Sequence, residues 1–242
     1  MSAWTNEAAI RRWAQTPPEA LAATAVDGDF AKRHLVNPDV LRLLGDVAGR
    51  RVLDAGCGNG YLSRMLAARG AYVVGVEPAQ SLYEFAVAAE STEPRGIRYV
   101  QADVCAMPDL GAPFDAVVAS MVLQAVPDWR DAMRACVAAL TPGGRFVFTC
   151  NHPCFEQLWS TWQRHGDYRT RRYLAEYEID GPHGMDFHRP LSAYLNALVT
   201  SGCTLTEVVE PALDPSLAAG GPDGVEAYAD LPNFLIVAAT RT

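Results

Sequence analysis

The sequence lacks several features that mark large classes of proteins. No stretch of about 18 residues is apolar without a charge, which argues against a membrane span. Long runs of Lys and Arg are absent and the net charge is −8, so we expect no nucleic-acid partner. The first 15 residues have no apolar core of the kind that secretion signals carry. We therefore expect a cytoplasmic protein without membrane or nucleic-acid partners.

Cysteine pairs at metal-ligand spacing are also missing. The chain has six cysteines, and none of them forms a Cys-x-x-Cys pair. Cys150 and Cys154, with His152 between them, resemble part of a zinc site, but no second cluster follows at ligand spacing. We therefore expect buried thiols in a reducing compartment, and no bound metal.

An alternation of apolar strands and amphipathic helices is present instead. Half of the residues are hydrophobic and a fifth are charged, which is typical of a globular domain. The alternation predicts an α/β fold whose doubly wound sheet is mostly parallel. The predicted strands are 51–56, 72–77, 97–103, 114–120, 145–150, 204–210 and 234–240, and the main helices are 61–70, 79–90, 128–140 and 190–201.

The chain length of 242 residues suits a single domain. We divide it into an N-terminal helical cap (1–45), a core (46–150), an inserted lid (151–189) and a closing helix with strands (190–242). The lid interrupts the alternation and is rich in aromatic residues, Arg and His. Its position predicts a cover over a ligand site.

A glycine-rich turn (56–60) joins the first predicted strand to a helix, within VLDAGCGNGYLS at 52–63. Glycines are needed where a chain turns sharply and a ligand approaches its backbone. A dinucleotide-binding turn would place its third glycine at position 61, where this sequence has Tyr61. The spacing therefore favours an adenosyl ligand with an amino-acid tail over a dinucleotide.

Two acidic residues end the next two predicted strands. Glu77 lies 21 residues beyond Gly56 and is placed to accept hydrogen bonds from ribose hydroxyls. Asp103 is placed to accept from an adenine amino group, while the Val104 N–H meets a ring nitrogen. Open α/β sheets bind ligands at these strand ends. The alternatives are a solvated carboxylate for Glu77 and a turn cap for Asp103.

On these residues the sequence resembles the class I S-adenosylmethionine-dependent methyltransferases, over roughly 40–150 and more loosely in the closing strands. VLDAGCGNG, VVGVEPA, YVQADVCAMP, FDAVVASMVLQAVPDW and LTPGGRFVFTC carry the resemblance. It implies a seven-stranded sheet of six parallel strands and one antiparallel strand, the last. FAKRHLVNP and HRPLSAYLNALVTSG look similar to bacterial small-molecule methyltransferases of secondary metabolism, including antibiotic biosynthesis.

The resemblance also implies S-adenosylmethionine as the cofactor, released as S-adenosylhomocysteine, and a role for each matching residue. Asp54 and Gly56 would lie near the methionine amino and carboxylate groups, and Glu77 on the ribose. Arg33 is a candidate partner for the methionine carboxylate, because Arg binds carboxylates bidentately. The remaining expected contacts are Cys57, Gly58, Asn59, Gly60 and Pro78 around the turn, Asp103 and Val104 at the adenine, and Ser120 and Met121 beneath the sulfonium.

Methyl transfer from a sulfonium needs a general base only when the nucleophile must lose a proton. His152 follows the fifth strand, and an ordinary histidine pKa near 6.5 suits proton transfer at neutral pH. We take it as the first candidate base, with a hydrogen bond to the lid as the equally weighted alternative. His183 and His188 are second candidates.

The acceptor is expected to be a small molecule, aromatic or a secondary-metabolite intermediate, with O-, N- and C-methylation all open. Lid aromatics form either core packing or a wall for a planar acceptor. An NAD-dependent oxidoreductase on a similar sheet and a non-catalytic adenosyl binder are the other functions considered, and both monomer and homodimer are open. The lid aromatics in question are Trp159, Trp162, Tyr168, Tyr173 and Tyr177.

Overall fold

A computed structural model describes residues 4–181 and 184–242. Its main feature is a seven-stranded sheet in the order β3-β2-β1-β4-β5-β9-β8, and the remaining two strands pair as a separate hairpin. The strands are β1 (Arg51–Ala55), β2 (Tyr72–Val76), β3 (Arg98–Val100), β4 (Phe114–Ser120), β5 (Leu140–Asn151), β6 (Tyr177–Asp180), β7 (Met185–His188), β8 (Cys203–Val209) and β9 (Phe234–Arg241).

The strand directions match the prediction made from the sequence. Strands β1 to β5 pair in parallel with their neighbours, whereas β9 is antiparallel to both β5 and β8. Strand β8 therefore runs parallel to the first five, and six parallel strands accompany one antiparallel strand, the last. This confirms the predicted fold class.

Helices cover both faces of the sheet. Successive side chains of a strand point to opposite faces, so a strand made mostly of apolar residues has apolar side chains to bury on each face. In β5, Phe146 and Phe148 belong to one buried cluster with Trp129 and Tyr194, while Val147 belongs to the cluster on the other face. The α-helices are α1 (Asn6–Trp13), α2 (Pro18–Ala23), α3 (Asn37–Leu44), α4 (Tyr61–Ala67), α5 (Gln80–Thr92), α6 (Trp129–Ala138), α7 (Leu158–His165), α8 (Leu191–Thr200) and α9 (Pro215–Ala218).

The cap is attached to the glycine-rich turn by side chains of the core. The Asn59 amide donates to the carbonyl of Leu21 at 2.8 Å and to Thr24 Oγ1 at 3.0 Å. The Arg64 guanidinium donates to the carbonyls of Asn59 and Ala25. Two of the accepting carbonyls, those of Leu21 and Ala25, lie in the last turn of α2 and just beyond it. These bonds place the cap directly above the turn.

The lid contains regular structure that the sequence did not predict, namely α7 and the β6–β7 hairpin. Each hairpin strand has only four residues, which is too short to show a periodic pattern. The hairpin is tied to the core through Arg189, whose guanidinium donates to the carbonyls of Leu123 and Val126, both at 2.8 Å. Similarly, α9 lies between the predicted strands 204–210 and 234–240, where no helix was predicted.

Across the part of the chain that the structure describes, no helix combines the length and apolarity needed to cross a bilayer.

Substitution of Gly56 tests how tightly the glycine-rich turn is packed. Gly56 has φ 72°, and an added Cβ would lie 2.6 Å from Val122 Cγ2. We expect G56A to lower the free energy of unfolding by about 2–4 kcal/mol, from left-handed backbone strain plus overpacking. Gly49 has φ 71° but no atom within 4 Å of an added Cβ, so G49A should lose only about 1–2 kcal/mol. Urea unfolding measures both, and equal losses would contradict the packing argument.

Candidate functional site

A cavity of about 440 Å³ opens at the carboxyl ends of β1, β2 and β4, beneath the cap. This volume is within the range of small-molecule sites. Ten of the thirteen predicted cofactor residues line it: Gly56, Cys57, Gly58, Asn59, Glu77, Pro78, Asp103, Val104, Ser120 and Met121.

Glu77 braces the glycine-rich turn from the end of β2. Its Oε2 accepts the Gly58 N–H at 2.9 Å, and its Oε1 accepts the Ala79 N–H at 2.8 Å. The side chain is buried, and burial raises the pKa of its carboxyl to about 7. Each oxygen keeps a further lone pair, since a carboxylate has about four acceptor positions. The residue therefore fits the predicted pair of ribose hydroxyls.

Asp103 joins the core to the first helix of the cap. Its Oδ1 accepts the Cys105 N–H at 2.9 Å, and its Oδ2 accepts from the Asn6 amide at 3.1 Å. Asn6 Oδ1 in turn accepts the Asp128 N–H at 3.0 Å. Asp103 thus caps a turn, as the alternative interpretation had it, and also lines the cavity. The same bonds hold α1 over the adenine end of the predicted site.

The floor of the cavity contains a strained residue. Met121 has φ 61°, in the left-handed region that residues other than glycine seldom adopt. Its N–H donates to both the carbonyl and the Oγ1 of Thr149, each at 3.0 Å, which holds the backbone in place. Ser120 Oγ lies 3.3 Å from the same hydroxyl. Strain of this kind persists where surrounding contacts over-determine the backbone, often at ligand sites.

The cavity is acidic. Asp29, Glu77, Asp103 and Asp186 line it, whereas Lys32 is the one basic residue among its described lining residues and pairs with Asp29 at 3.3 Å. A wall with this excess of carboxylates attracts a cation and disfavours a pyrophosphate. The positively charged sulfonium of S-adenosylmethionine fits such a wall. An added Cβ on Gly58 would have only Leu82 Cδ2 within 4 Å, at 3.8 Å, so the turn is not tightly packed there.

Three predicted cofactor residues do not line the cavity. Asp54 lies buried beneath the turn, where it accepts the Ser63 hydroxyl at 2.6 Å, and burial raises its pKa to about 6. Gly60 is the N-cap of α4, with φ 77°. Arg33 forms an ion pair with Asp27 at 2.7 Å. Direct ligand contact by these residues stays a prediction, and the ion pair of Arg33 does not favour it.

His152, the first candidate base, also lies outside the cavity lining. The Cys154 N–H donates to Nδ1 at 3.1 Å, so Nε2 carries the proton in the neutral ring and donates to Glu210 Oε1 at 2.7 Å. Burial lowers the pKa of this imidazole. One ring nitrogen is therefore bonded within the lid, to Cys154, and the other to Glu210 in the closing segment. Catalysis by His152 stays a prediction.

His188, a second candidate base, also lies outside the cavity lining. His188 is buried, donates from Nε2 to the Tyr173 carbonyl at 2.8 Å and stacks on Tyr177. Burial lowers its pKa, but Glu156, 3.7 Å away, and the carbonyl outweigh burial, so the net pKa is raised. His183 lies outside the described residues. Catalysis by either histidine stays a prediction.

Asp186, in β7, is the lining residue that the sequence argument missed. Its Oδ2 accepts from the Asn151 amide at 3.1 Å, while its buried Oδ1 has no hydrogen-bond partner among the described residues. A signal existed, since Asp186 stands between Met185 and Phe187, both apolar and buried. A carboxylate in such a setting is costly unless something pairs with it.

Metal ligation finds no support in the described ranges, where no group of three or more His, Cys, Asp or Glu side chains is arranged to hold an ion. Cys150 is buried and Cys154 is partly buried, and both are free thiols.

Known proteins share both the core sequence and the fold. A family model described as a methyltransferase domain matches residues 53–148. The ubiquinone biosynthesis O-methyltransferase of Idiomarina loihiensis is 36% identical over 128 residues, 51% of this chain and 53% of that protein. The chain thus spans about half the length of the curated relatives it matches.

Similarity to solved structures extends over most of the chain. An S-adenosylmethionine-dependent methyltransferase from Mesorhizobium loti superposes with a TM-score of 0.73 at 30% identity, covering 84% of this chain and 96% of that one. The magnesium protoporphyrin IX methyltransferase of Synechocystis, solved with bound S-adenosylmethionine, shares the fold, with a TM-score of 0.63 at 16% identity over the full length of both chains.

Substitution of Glu77 tests the ribose contact. We expect E77Q to weaken S-adenosylhomocysteine binding at least tenfold, about 1.4 kcal/mol, because an ionised acceptor is lost. In the wild type, affinity should fall as the pH drops through about 7, where the carboxyl of Glu77 becomes protonated. This dependence should flatten in E77Q. Calorimetric titration between pH 6.5 and 8.5 measures both effects.

The control for this experiment is E84Q, which makes the same change on the exposed face of α5. An E77Q protein with wild-type affinity and an unchanged pH dependence would show that Glu77 does not contact the ligand.

Replacement of His152 tests the first candidate base. Because both ring nitrogens are engaged away from the cavity, H152Q should keep the affinity for S-adenosylhomocysteine within about twofold and turnover within about tenfold. Stability should fall by about 1–2 kcal/mol through the lost buried hydrogen bonds. H165Q, at an exposed histidine of α7, is the control. A loss of turnover beyond about a hundredfold, with unchanged ligand affinity, would instead support the base role.

Proposed function

This chain belongs to the class I S-adenosylmethionine-dependent methyltransferases, and on that premise we propose that it transfers a methyl group to a hydroxyl of a small-molecule acceptor. The observation that carries the proposal is the acidic cavity, where the glycine-rich turn, Glu77 and Asp103 meet. Bound S-adenosylmethionine supplies an electrophilic methyl group on a positively charged sulfur.

The elements around the cavity support a small acceptor. Helix α1 lies across it, tied to Asp103 through Asn6 and to the Gly181 carbonyl through Arg12 at 3.2 Å. Trp13 and Ile10 of this helix line the cavity from above, and Gly184 lines it from the lid. A folded protein or a duplex would meet α1 before it reached the strand ends. A small organic molecule fits between them.

Several observations favour oxygen as the attacking atom. The relatives from Idiomarina loihiensis and Chromobacterium violaceum both carry the name ubiquinone biosynthesis O-methyltransferase. The cavity also offers carboxylates that can accept a hydroxyl proton. We place the acceptor among hydroxylated aromatic or secondary-metabolite intermediates. The resemblance to methyltransferases of secondary metabolism supports the same class.

Chain residues hold the two partners rather than activate the leaving group, because a sulfonium is already activated and positioning supplies much of the rate. Glu77 binds the ribose and Asp103 binds the adenine. The strained Met121 backbone fixes the position of the cavity floor. The cap and lid exclude water from the methyl group, which prevents loss of the donor to hydrolysis.

Thermal shift with three ligands tests the cofactor. S-adenosylhomocysteine should raise the melting temperature, because a ligand that binds only the folded state stabilises it by mass action. NAD should not, since the acidic cavity disfavours a pyrophosphate. Adenosine serves as the control for the nucleoside alone. Stabilisation by NAD and not by S-adenosylhomocysteine would favour the oxidoreductase and overturn the proposal.

A turnover panel then separates a methyltransferase from a non-catalytic adenosyl binder. Release of S-adenosylhomocysteine is measured with phenol, catechol, 2-methoxyphenol, aniline and indole, which present O, N and C nucleophiles. We expect release with a phenol and little with aniline or indole. Release above the acceptor-free background with none of the five would favour the binder. Preferred methylation of aniline or indole would overturn the choice of oxygen.

A further inference from the structure

We propose that Asp186 binds the acceptor's hydroxyl group and takes its proton during methyl transfer. The inference rests on the proposed function and assigns a residue to its acceptor side. It starts from Asp186 in the cavity lining, whose buried Oδ1 has no hydrogen-bond partner among the described residues.

Only one oxygen of the Asp186 carboxyl, Oδ2, is held by a hydrogen bond among the described residues. Asn151, the last residue of β5, donates its amide N–H to Oδ2 at 3.1 Å. This bond orients the carboxyl group, and within the ranges that the structure describes no donor reaches Oδ1. A buried acceptor without a hydrogen bond destabilises the fold, because it has lost its bonds to water. Groups that are retained at such a cost commonly serve a ligand or a reaction.

A second unpartnered polar atom belongs to the same wall. The Nε1–H of Trp13 is buried and has no hydrogen-bond partner among the described residues. Its ring occupies the space that a Cβ on Gly184 would need, two residues before Asp186. Two residues that line the cavity thus carry one unpaired acceptor and one unpaired donor, a combination that suits a ligand with a hydroxyl and a second oxygen. The carboxylates around them disfavour an anionic ligand, so we infer an uncharged one.

The charges around Asp186 keep it ionised near neutral pH. Burial and, to a smaller extent, the charge of Glu156 raise the pKa of its carboxyl, whereas the Asn151 hydrogen bond and the charges of Arg189 and Lys32 lower it, and the net pKa is about 6. A carboxylate with this pKa is mostly deprotonated at pH 7 and yet basic enough to accept a proton. His152 and His188 lie outside the cavity lining, with their protonated nitrogens already donating to other groups.

The proposed step conserves atoms and electrons. The acceptor's O–H bond breaks, its proton passes to Oδ1 of Asp186, and its electron pair stays on the acceptor oxygen. That oxygen forms a bond to the methyl carbon while the carbon–sulfur bond breaks, and the electrons of the broken bond remain on sulfur. The products are the methyl ether, neutral S-adenosylhomocysteine and protonated Asp186, which then returns its proton to solvent.

D186N distinguishes this role from a structural one. Because Asn151 donates at the Oδ2 position, the new amide oxygen should occupy that position and the NH₂ group should replace Oδ1. D180N is the control: it makes the same change in the paired strand, where Asp180 is exposed and forms only a weak ion pair with Arg12 at 3.7 Å.

Melting temperature against pH gives a readout without turnover. A carboxyl whose folded-state pKa is raised stabilises the fold less as the pH rises through that pKa. D186N removes this effect, so its melting temperature relative to the wild type should increase by a few degrees between pH 5 and pH 8. D180N should follow the wild type. A D186N protein that melts several degrees below the wild type throughout would show a structural residue and overturn the proposal.

Acceptor binding is measured by calorimetric titration of the S-adenosylhomocysteine complex with catechol and with 1,2-dimethoxybenzene, which keeps the ring and both oxygens but has no O–H. Wild type and D180N should bind catechol at least tenfold more tightly than the dimethyl ether. D186N should lose at least fivefold of its catechol affinity while its affinity for S-adenosylhomocysteine stays within twofold. Equal affinity for the two probes, no catechol binding by the wild type, or an unaffected D186N would overturn the proposal.

Turnover completes the test with whichever phenol of the panel releases most S-adenosylhomocysteine. D186N should lower kcat at least a hundredfold, and the acidic limb near pH 6 in the wild-type profile should be absent from its residual activity. A D186N enzyme within tenfold of the wild type refutes the proton-accepting role. Failure of S-adenosylhomocysteine to bind the wild type would instead refute the proposed function itself, so the two failures are distinguishable.

Discussion

The hydrogen bonds between the Glu77 carboxylate and the backbone of the glycine-rich turn are the interaction on which the site depends. One oxygen holds the Gly58 N–H and the other holds the start of α5. Neither bond involves a side-chain cation, so the charge of Glu77 is balanced by backbone dipoles alone. The turn can therefore curve sharply between β1 and α4 and still present its backbone to the cavity. The elements above it, including the cap attached through Asn59, take their positions from that curve.

The acidity of the cavity has the same origin, namely carboxylates that are hydrogen-bonded but not paired with a cation. Carboxylates that could have been paired with Lys or Arg are instead left to backbone N–H groups, hydroxyls or amides, as in Glu77, Asp54 and Asp186. Burial raises the pKa of each of the three to about 6 or 7. The protein keeps these groups near the point of ionisation. A cationic ligand would supply the positive charge that these carboxylates lack.

The sequence predicted the sheet, and ten of the residues expected to bind the cofactor line the cavity, because both features depend on local patterns. Buried parallel strands read as continuous apolar runs, and glycines or acids at their ends converge at one edge by topology alone. The part of the cavity lining that the β6–β7 hairpin contributes could not be predicted in the same way. Asp186 reaches the cavity only because a short hairpin packs against α1 and the core, with Arg189 bonded to the carbonyls of Leu123 and Val126. No local pattern encodes that packing. His152 stood out by residue type, yet both of its ring nitrogens form hydrogen bonds away from the cavity.

Buried carboxylates without a paired cation also affect the abundance of the protein in a cell. The ligand-free form carries an electrostatic burden that a bound cation relieves, so its folded population depends on donor supply. When the donor is scarce, a larger fraction of molecules opens and reaches proteases. Abundance of the protein would then follow the methyl-donor level of the cell without any dedicated regulator, because the acidic wall itself couples the two.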